Sequence, residues 1–159
     1  MTIMRFISSF LFTHPFTWLA DWAWGTPLIV LTVIIHVAGL GVIKQRAFSL
    51  SGRTARRHYH KTASMVIIGA ATLSATFLHA IEAFLWAGAY VLLSALPDWR
   101  TAMLYSLNAM TSYGHTNLAL VDRWHLMGAL EALNGWLLFG LTTAFLFAVI
   151  DRVWVPEAK

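Results

Sequence analysis

The chain has 159 residues, of which 58% are hydrophobic and 11% are charged, whereas roughly a quarter of an ordinary soluble domain is charged. This composition argues against a soluble domain and favours an integral membrane protein, with the lipid bilayer as its surroundings. The absence of cysteine excludes disulfides, thiolate metal sites and a cysteine nucleophile. The net charge of +4 does not indicate a nucleic-acid partner, because six of the eleven basic residues fall between Lys44 and Lys61.

The N-terminal part of the chain, residues 1–26, is apolar and aromatic but contains Pro15 and Asp21. We predict an interfacial helix on the outer membrane surface. The alternative is an extra transmembrane segment, which Arg5 favours under the positive-inside rule. Residues 27–43 carry no formal charge and end at Lys44, so they are predicted to form the first span.

Residues 44–61 contain six basic and no acidic residues, a pattern typical of a cytoplasmic loop. This predicts a multi-pass protein of the bacterial inner (plasma) membrane, with loop 44–61 and the C terminus in the cytoplasm. The next apolar segment, residues 62–97, is interrupted only by His79 and Glu82 and is predicted to be one long outer helix.

Pro97 and Asp98 predict the end of that helix and the start of a new one, because proline lacks a backbone donor and aspartate is a good N-cap. The predicted short helix, residues 99–110, cannot span a bilayer. Polar residues 111–122 follow, and residues 124–155 are predicted to be the third span. Irregular backbone at membrane depth must be buried in protein or line water, and the negative C-terminal end of a half-length helix favours a cation.

The polar segment resembles the selectivity filter of potassium channels, whose motif is Thr-Thr-Val-Gly-Tyr-Gly-Asp. The corresponding residues are Thr111, Ser112, Tyr113, Gly114, His115, Thr116 and Asn117. Further similarities are found upstream, at Trp99 and Tyr105-Ser106-Leu107, and downstream, at Trp124 and in the run from Gly135 to Gly140. Residues 62–155 therefore resemble the pore domain of the bacterial potassium-channel-like family.

This resemblance implies an all-α membrane protein with three transmembrane helices, a re-entrant pore helix and a filter loop, assembled as a homotetramer. It also implies that the carbonyls of residues 112–116 bind a monovalent cation such as potassium, and that Gly135 and Gly140 form a gating hinge. The same glycines also fit close helix packing. We expect no cofactor beyond the conducted ion.

Three positions depart from the family motif: His115 stands for tyrosine, Thr116 for glycine and Asn117 for aspartate. Three interpretations stay open: a weakly selective cation pore, a pore gated by protonation of His115, and a non-conducting accessory or structural subunit of a larger membrane complex. The faces expected to dock such a subunit carry the aromatic residues Phe84, Trp86, Trp136 and Phe145.

Ionisable residues within the spans indicate either a structural or a functional role. We predict that His79, Glu82 and Glu131 form polar support behind the pore helix, accepting hydrogen bonds from donors such as Ser106. A proton relay or a metal site is the alternative, and we expect no bound metal because too few ligands converge.

Two further functions are weighed and disfavoured. A haem held by His36 and His79 is disfavoured because their distances from Lys44 and Lys61 predict a depth difference of roughly 15 Å. An enzyme is not expected, because the sequence contains no nucleophile–base set, phosphate-binding loop or HExxH-type motif.

Overall fold

The computed structural model describes residues 15–54, 60–114 and 118–154. Helix α1 covers Pro15–Thr54, α2 His60–Leu92, α3 Trp99–Met110 and α4 His125–Trp154, and a 3₁₀ turn at Asp122–Trp124 precedes α4. Within these ranges α1, α2 and α4 are long and apolar enough to cross a membrane. The predicted all-helical class is confirmed for the described residues, with three helices that could cross a membrane, whereas the re-entrant pore helix and the filter stay predictions.

Helix α1 does not begin at residue 27, so the predicted division between a separate N-terminal segment and the first span is wrong for residues 15–26. The helix runs unbroken through Pro27, since the loss of one backbone hydrogen bond is tolerated in a long membrane-type helix. Residues 1–14 of the predicted interfacial segment lie outside the described residues. Buried Asp21 accepts a hydrogen bond of 3.2 Å from the Met127 N–H, which joins α1 to the first turn of α4.

The predicted basic loop is also mostly helical. Helix α1 continues beyond Lys44 to Thr54, and α2 begins at His60, so only residues 55–59 of the predicted loop lie outside the described helices. Lysine and arginine are good helix formers, and their long stems carry the charge away from an apolar surface. A basic residue therefore marks the end of an apolar run without ending the helix.

The start of α3 confirms the predicted signal at Pro97 and Asp98. Just beyond the end of α2, Ser94 lies in the left-handed region at φ 51°. There the Ala95 N–H bonds the Tyr90 carbonyl and the Ser94 N–H bonds the Val91 carbonyl, the pattern of a Schellman cap. Asp98 then caps α3, accepting from the Thr101 N–H at 3.0 Å and the Thr101 hydroxyl at 2.7 Å.

Helix α3 packs between α2 and α4 at one end of the three long helices. A buried aromatic cluster holds it there, formed mainly by Trp86, Tyr90, Tyr105, Trp124 and Met127. The other end of the molecule is closed by a smaller cluster of α1, α2 and α4 that contains Ala47, Ile67, Ala71, Val149 and Val153. The two ends therefore differ: one has three helices in contact, and the other has an additional short helix.

Candidate functional site

The segment that resembles a channel filter begins directly at the C-terminal end of α3. The Tyr113 N–H bonds the Asn108 carbonyl and the Ser112 N–H bonds the Ala109 carbonyl, both at 3.0 Å. Ser112 (φ 53°) and Gly114 (φ 86°) both lie in the left-handed region. The conformation of Ser112 is that of a Schellman cap, so helix termination accounts for it.

The first four residues of the predicted filter, Thr111 to Gly114, are exposed on the single chain. The three positions that depart from the family motif, His115, Thr116 and Asn117, lie outside the described residues. Whether the segment binds an ion therefore stays a prediction.

Helix α4 fixes the end of α3 through Gly135 and Trp136. A Cβ atom built on Gly135 would lie 2.2 Å from the Met110 carbonyl oxygen, so only glycine allows this approach. The adjacent Trp136 donates its indole N–H to the Ser112 hydroxyl at 2.8 Å. Close packing, one of the two predicted roles, thus describes Gly135, whereas Gly140 has no atom within 4 Å of its built Cβ. A hinge at either glycine stays a prediction.

The segment between α2 and α4 turns back on itself. Its two ends meet where the Val121 N–H bonds the Ala95 carbonyl at 3.4 Å. The end of α3 lies deeper, because Met110 packs with Ala83 and Leu138. Gly135 is ten residues into α4, so at 1.5 Å per residue α3 ends about 15 Å from the start of that helix.

Glu131 makes the predicted contact with α3. Its carboxyl group is completely buried and is hydrogen-bonded to the Ser106 hydroxyl, while the Tyr90 hydroxyl donates to its other oxygen at 2.6 Å. The Ser106 hydroxyl also donates to the Ala83 carbonyl at 2.8 Å. These bonds join α2, α3 and α4.

The predicted contact between Glu82 and α3 is wrong. Glu82 belongs instead to a second polar cluster near the middle of the long helices. Its Oε1 lies 2.7 Å from Nδ1 of His36, and its Oε2 lies 3.2 Å from Nδ1 of His79. The Thr142 hydroxyl completes the group, at 3.0 Å from Nε2 of His36 and 3.1 Å from Nε2 of His79. Three helices thus contribute to one buried group, the His36 cluster, made of His36, His79, Glu82 and Thr142.

The pairing of His36 with His79 was not predicted because the depth of His36 was counted from Lys44, ten residues before the described end of α1. His36 is 18 residues before the described end of α1, and His79 is 19 residues after the start of α2, so both lie at the same level and their rings are 5.0 Å apart. The predicted depth difference of roughly 15 Å is wrong. A haem held by His36 and His79 is therefore no longer disfavoured by depth, and its absence stays a prediction.

Comparisons with protein-family models, with curated proteins and with solved structures found no match to this chain. The described residues define a class: an all-helical protein of membrane type, with three long apolar helices and a fourth, short helix inserted between two of them.

Proposed function

We propose that this chain is the subunit of a passive, potassium-like cation channel in which four copies surround one pore in a bacterial inner membrane. The observation that carries the proposal is the position of α3. This 12-residue helix enters between α2 and α4 and ends against Gly135. The chain after it returns to the level where α2 ends, since Val121 is hydrogen-bonded to Ala95. Such a re-entrant segment is tolerated within a membrane where it lines a water-filled cavity.

The electrostatics of this arrangement favour a cation. The C-terminal end of a helix carries about half a negative charge, and no basic residue in the last turn of α3 opposes it. The first residues beyond the helix are exposed and rich in hydroxyl and carbonyl oxygens. Oxygen ligands of this kind replace the water around a dehydrated potassium ion.

Assembly of several chains is supported by the surface next to this segment. Tyr113 is 84% exposed, and Trp136, which holds Ser112, is 70% exposed. One chain supplies one such segment, whereas a carbonyl filter is formed by a ring of them. We therefore assign this face to contacts with other copies and with the pore.

The accessory-subunit alternative is less well supported, because its predicted docking residues do not share one surface. Trp86 is completely buried and Phe145 is half-buried in contact with core clusters, whereas Phe84 and Trp136 are exposed. The prediction of an exposed Trp86 is wrong, since this side chain fills the core between α2 and its neighbours.

The proposal is tested by ion flux through the purified protein in liposomes, with potassium and sodium compared. The variant Thr116→Gly restores the second glycine of the filter motif, so it is expected to increase the preference for potassium. Gly69→Ala, at a position on α2 with no atom within 4 Å of its built Cβ, is the matched control for the effect of substitution itself. If well-folded natural protein and Thr116→Gly are both silent, the channel proposal fails and the accessory role is favoured.

A further inference from the structure

We propose that His36, His79 and Glu82 form a binding site for a divalent first-row transition metal, with Zn²⁺ as the best fit. The site is separate from the filter segment and does not depend on ion conduction. It lies where α1, α2 and α4 meet, and its three ligand atoms all lie within 4.8 Å of one another.

The spacing of these atoms is that of ligands around one small ion. Two ligands that each lie about 2.0–2.1 Å from a tetrahedral Zn²⁺ are about 3.3 Å apart. The Glu82 carboxylate oxygens lie 2.7 Å and 3.2 Å from Nδ1 of the two histidines. Because all three ligand atoms lie within 4.8 Å of one another, closing them to that spacing takes a movement of at most about 1.5 Å.

Two buried atoms of the cluster have no hydrogen-bond partner in the described structure. These are Nδ1 of His79 and Oε2 of Glu82, which face each other at 3.2 Å without the geometry of a hydrogen bond. Glu82 is completely buried, and an unpaired polar atom at such a position is costly. A metal ion bound to both atoms removes that cost.

Thr142 fits the role of an outer partner that orients both histidines. A histidine that binds a metal through Nδ1 carries its proton on Nε2 and usually donates it to an oxygen acceptor. The Thr142 hydroxyl lies 3.0 Å and 3.1 Å from the two Nε2 atoms. An oxygen with two lone pairs accepts both protons.

The ligand set indicates the class of metal. Two imidazoles and one carboxylate suit zinc and related first-row ions, whereas magnesium and calcium prefer oxygen ligands alone. Three protein ligands leave one tetrahedral position for water. His79, with 13% of its side chain exposed, is the ligand that reaches the surface.

The test is equilibrium binding of Zn²⁺ alone, and of Co²⁺ alone as a spectroscopic probe, to detergent-purified protein prepared without a histidine tag. The background variant His58→Ala/His60→Ala removes two other histidines, which are two residues apart in the sequence and offer a competing pair of ligands. We expect about one metal per chain in this background and a tetrahedral Co²⁺ spectrum. Glu82→Gln is expected to weaken binding at least ~100-fold and Thr142→Val about 10–100-fold.

Glu131→Gln is the matched control, because it neutralises another completely buried carboxyl group without touching the cluster, and it should bind metal as the background does. X-ray absorption of the zinc-loaded background protein serves if Glu82→Gln does not fold. Two imidazole ligands at about 2.0–2.1 Å support the site. Absence of binding, a coordination shell of oxygen alone, or equal binding by folded Glu82→Gln would overturn it and leave only a hydrogen-bonded cluster.

Discussion

Gly135 and Gly140 are five residues apart on α4 but have very different surroundings. A Cβ on Gly135 would lie 2.2 Å from the Met110 carbonyl oxygen, whereas one on Gly140 meets nothing within 4 Å. We expect Gly135→Ala to push the end of α3 away from α4 and to destabilise the protein by about 1–3 kcal/mol, the usual cost of overpacking. Gly140→Ala should be neutral or slightly stabilising.

Thermal unfolding of both variants in detergent measures the difference. Equal melting temperatures for Gly135→Ala and Gly140→Ala would contradict the close contact between Gly135 and Met110. Flux measurements on the same pair also address the predicted hinge, because a hinge role at Gly140 would change gating without changing the melting temperature.

Asp98 gives a pH dependence at the start of α3. Hydrogen bonds from the backbone and side chain of Thr101 hold the pKa of this exposed carboxyl group below its ordinary value of 3.8. A lowered folded-state pKa means that the cap is at full strength above the ordinary value and is lost as the pH falls through the folded value. We expect hydrogen exchange at the Thr101 amide to accelerate as the pH falls through the folded-state pKa of Asp98.

Asp98→Asn is the control for this effect, because asparagine is also a good N-cap but does not titrate. Its exchange rate at Thr101, corrected for the intrinsic pH dependence, should not change over the same range. A natural protein that behaves like Asp98→Asn would show that the carboxylate does not stabilise the first turn of α3.

At the level of the helices, prediction was most accurate where local chemistry decides the outcome. The bounds of α3 follow from Pro97 and Asp98, and the structure has the helix at Trp99–Met110, as predicted. Prediction failed where it took the uncharged run 27–43 as the whole of the first span, with a separate segment before residue 27 and a loop from Lys44. The helix extends beyond that run at both ends, so α1 is 40 residues long.

The error in α1 also hid the His36 cluster. Which residues of two helices face each other depends on where the connecting turn lies, and a helix that continues ten residues beyond Lys44 moves the turn by about 15 Å. By contrast, the contact between Glu131 and Ser106 joins elements whose order and lengths were predicted correctly. Contacts between side chains of two helices were therefore predictable only where the ends of both helices had been predicted correctly.

The contact between Tyr90 and Glu131 is expected to stabilise the packing of α2 against α4. The Tyr90 hydroxyl is buried and donates to Glu131 at 2.6 Å, so Tyr90→Phe should cost about 1–2 kcal/mol by leaving one carboxyl oxygen without its donor. A double-mutant cycle with Glu131→Gln, measured by unfolding in mixed micelles, isolates the coupling. Strictly additive effects would show that the two side chains do not interact.

Asp21 tests the corrected course of the N-terminal part of α1. Its carboxylate accepts the Met127 N–H at 3.2 Å, in the turn of α4 whose amides lack intrahelical partners. Asp21→Ala should destabilise the protein by about 1–2 kcal/mol, while Asp21→Asn, which keeps an acceptor, should cost less. No effect from either variant would favour a separate interfacial segment before Pro27.

For the whole molecule, the proposed pore requires four copies of the 17.8-kDa chain. Leu137 follows Trp136 on α4 and is 51% exposed, whereas Leu73 is 72% exposed on α2 and lines a groove toward α1. We expect Leu137→Trp to disturb the tetramer, because added bulk is not accommodated at a packed interface. We expect the Leu73 face to contact lipid, so Leu73→Trp should leave the tetramer intact, as measured by native mass spectrometry.

The topology of the proposed channel can be tested because the chain has no cysteine, so single engineered thiols report position without background. Gly52, which has no atom within 4 Å of its built Cβ, marks the basic end, and Asp122, whose side chain is fully exposed, marks the end where α3 enters. If α3 is re-entrant, one crossing by α2 separates them and they lie on opposite sides of the membrane. If α3 crossed completely, they would lie on the same side.

An impermeant maleimide applied to intact spheroplasts distinguishes these topologies. We expect Asp122→Cys to be labelled at once and Gly52→Cys only after permeabilisation, because the positive-inside rule places the basic end in the cytoplasm. The reverse pattern would invert the orientation but keep α3 re-entrant. Labelling of both thiols from the same side would mean that α3 passes through the membrane, and the half-length helix on which the channel proposal rests would be lost.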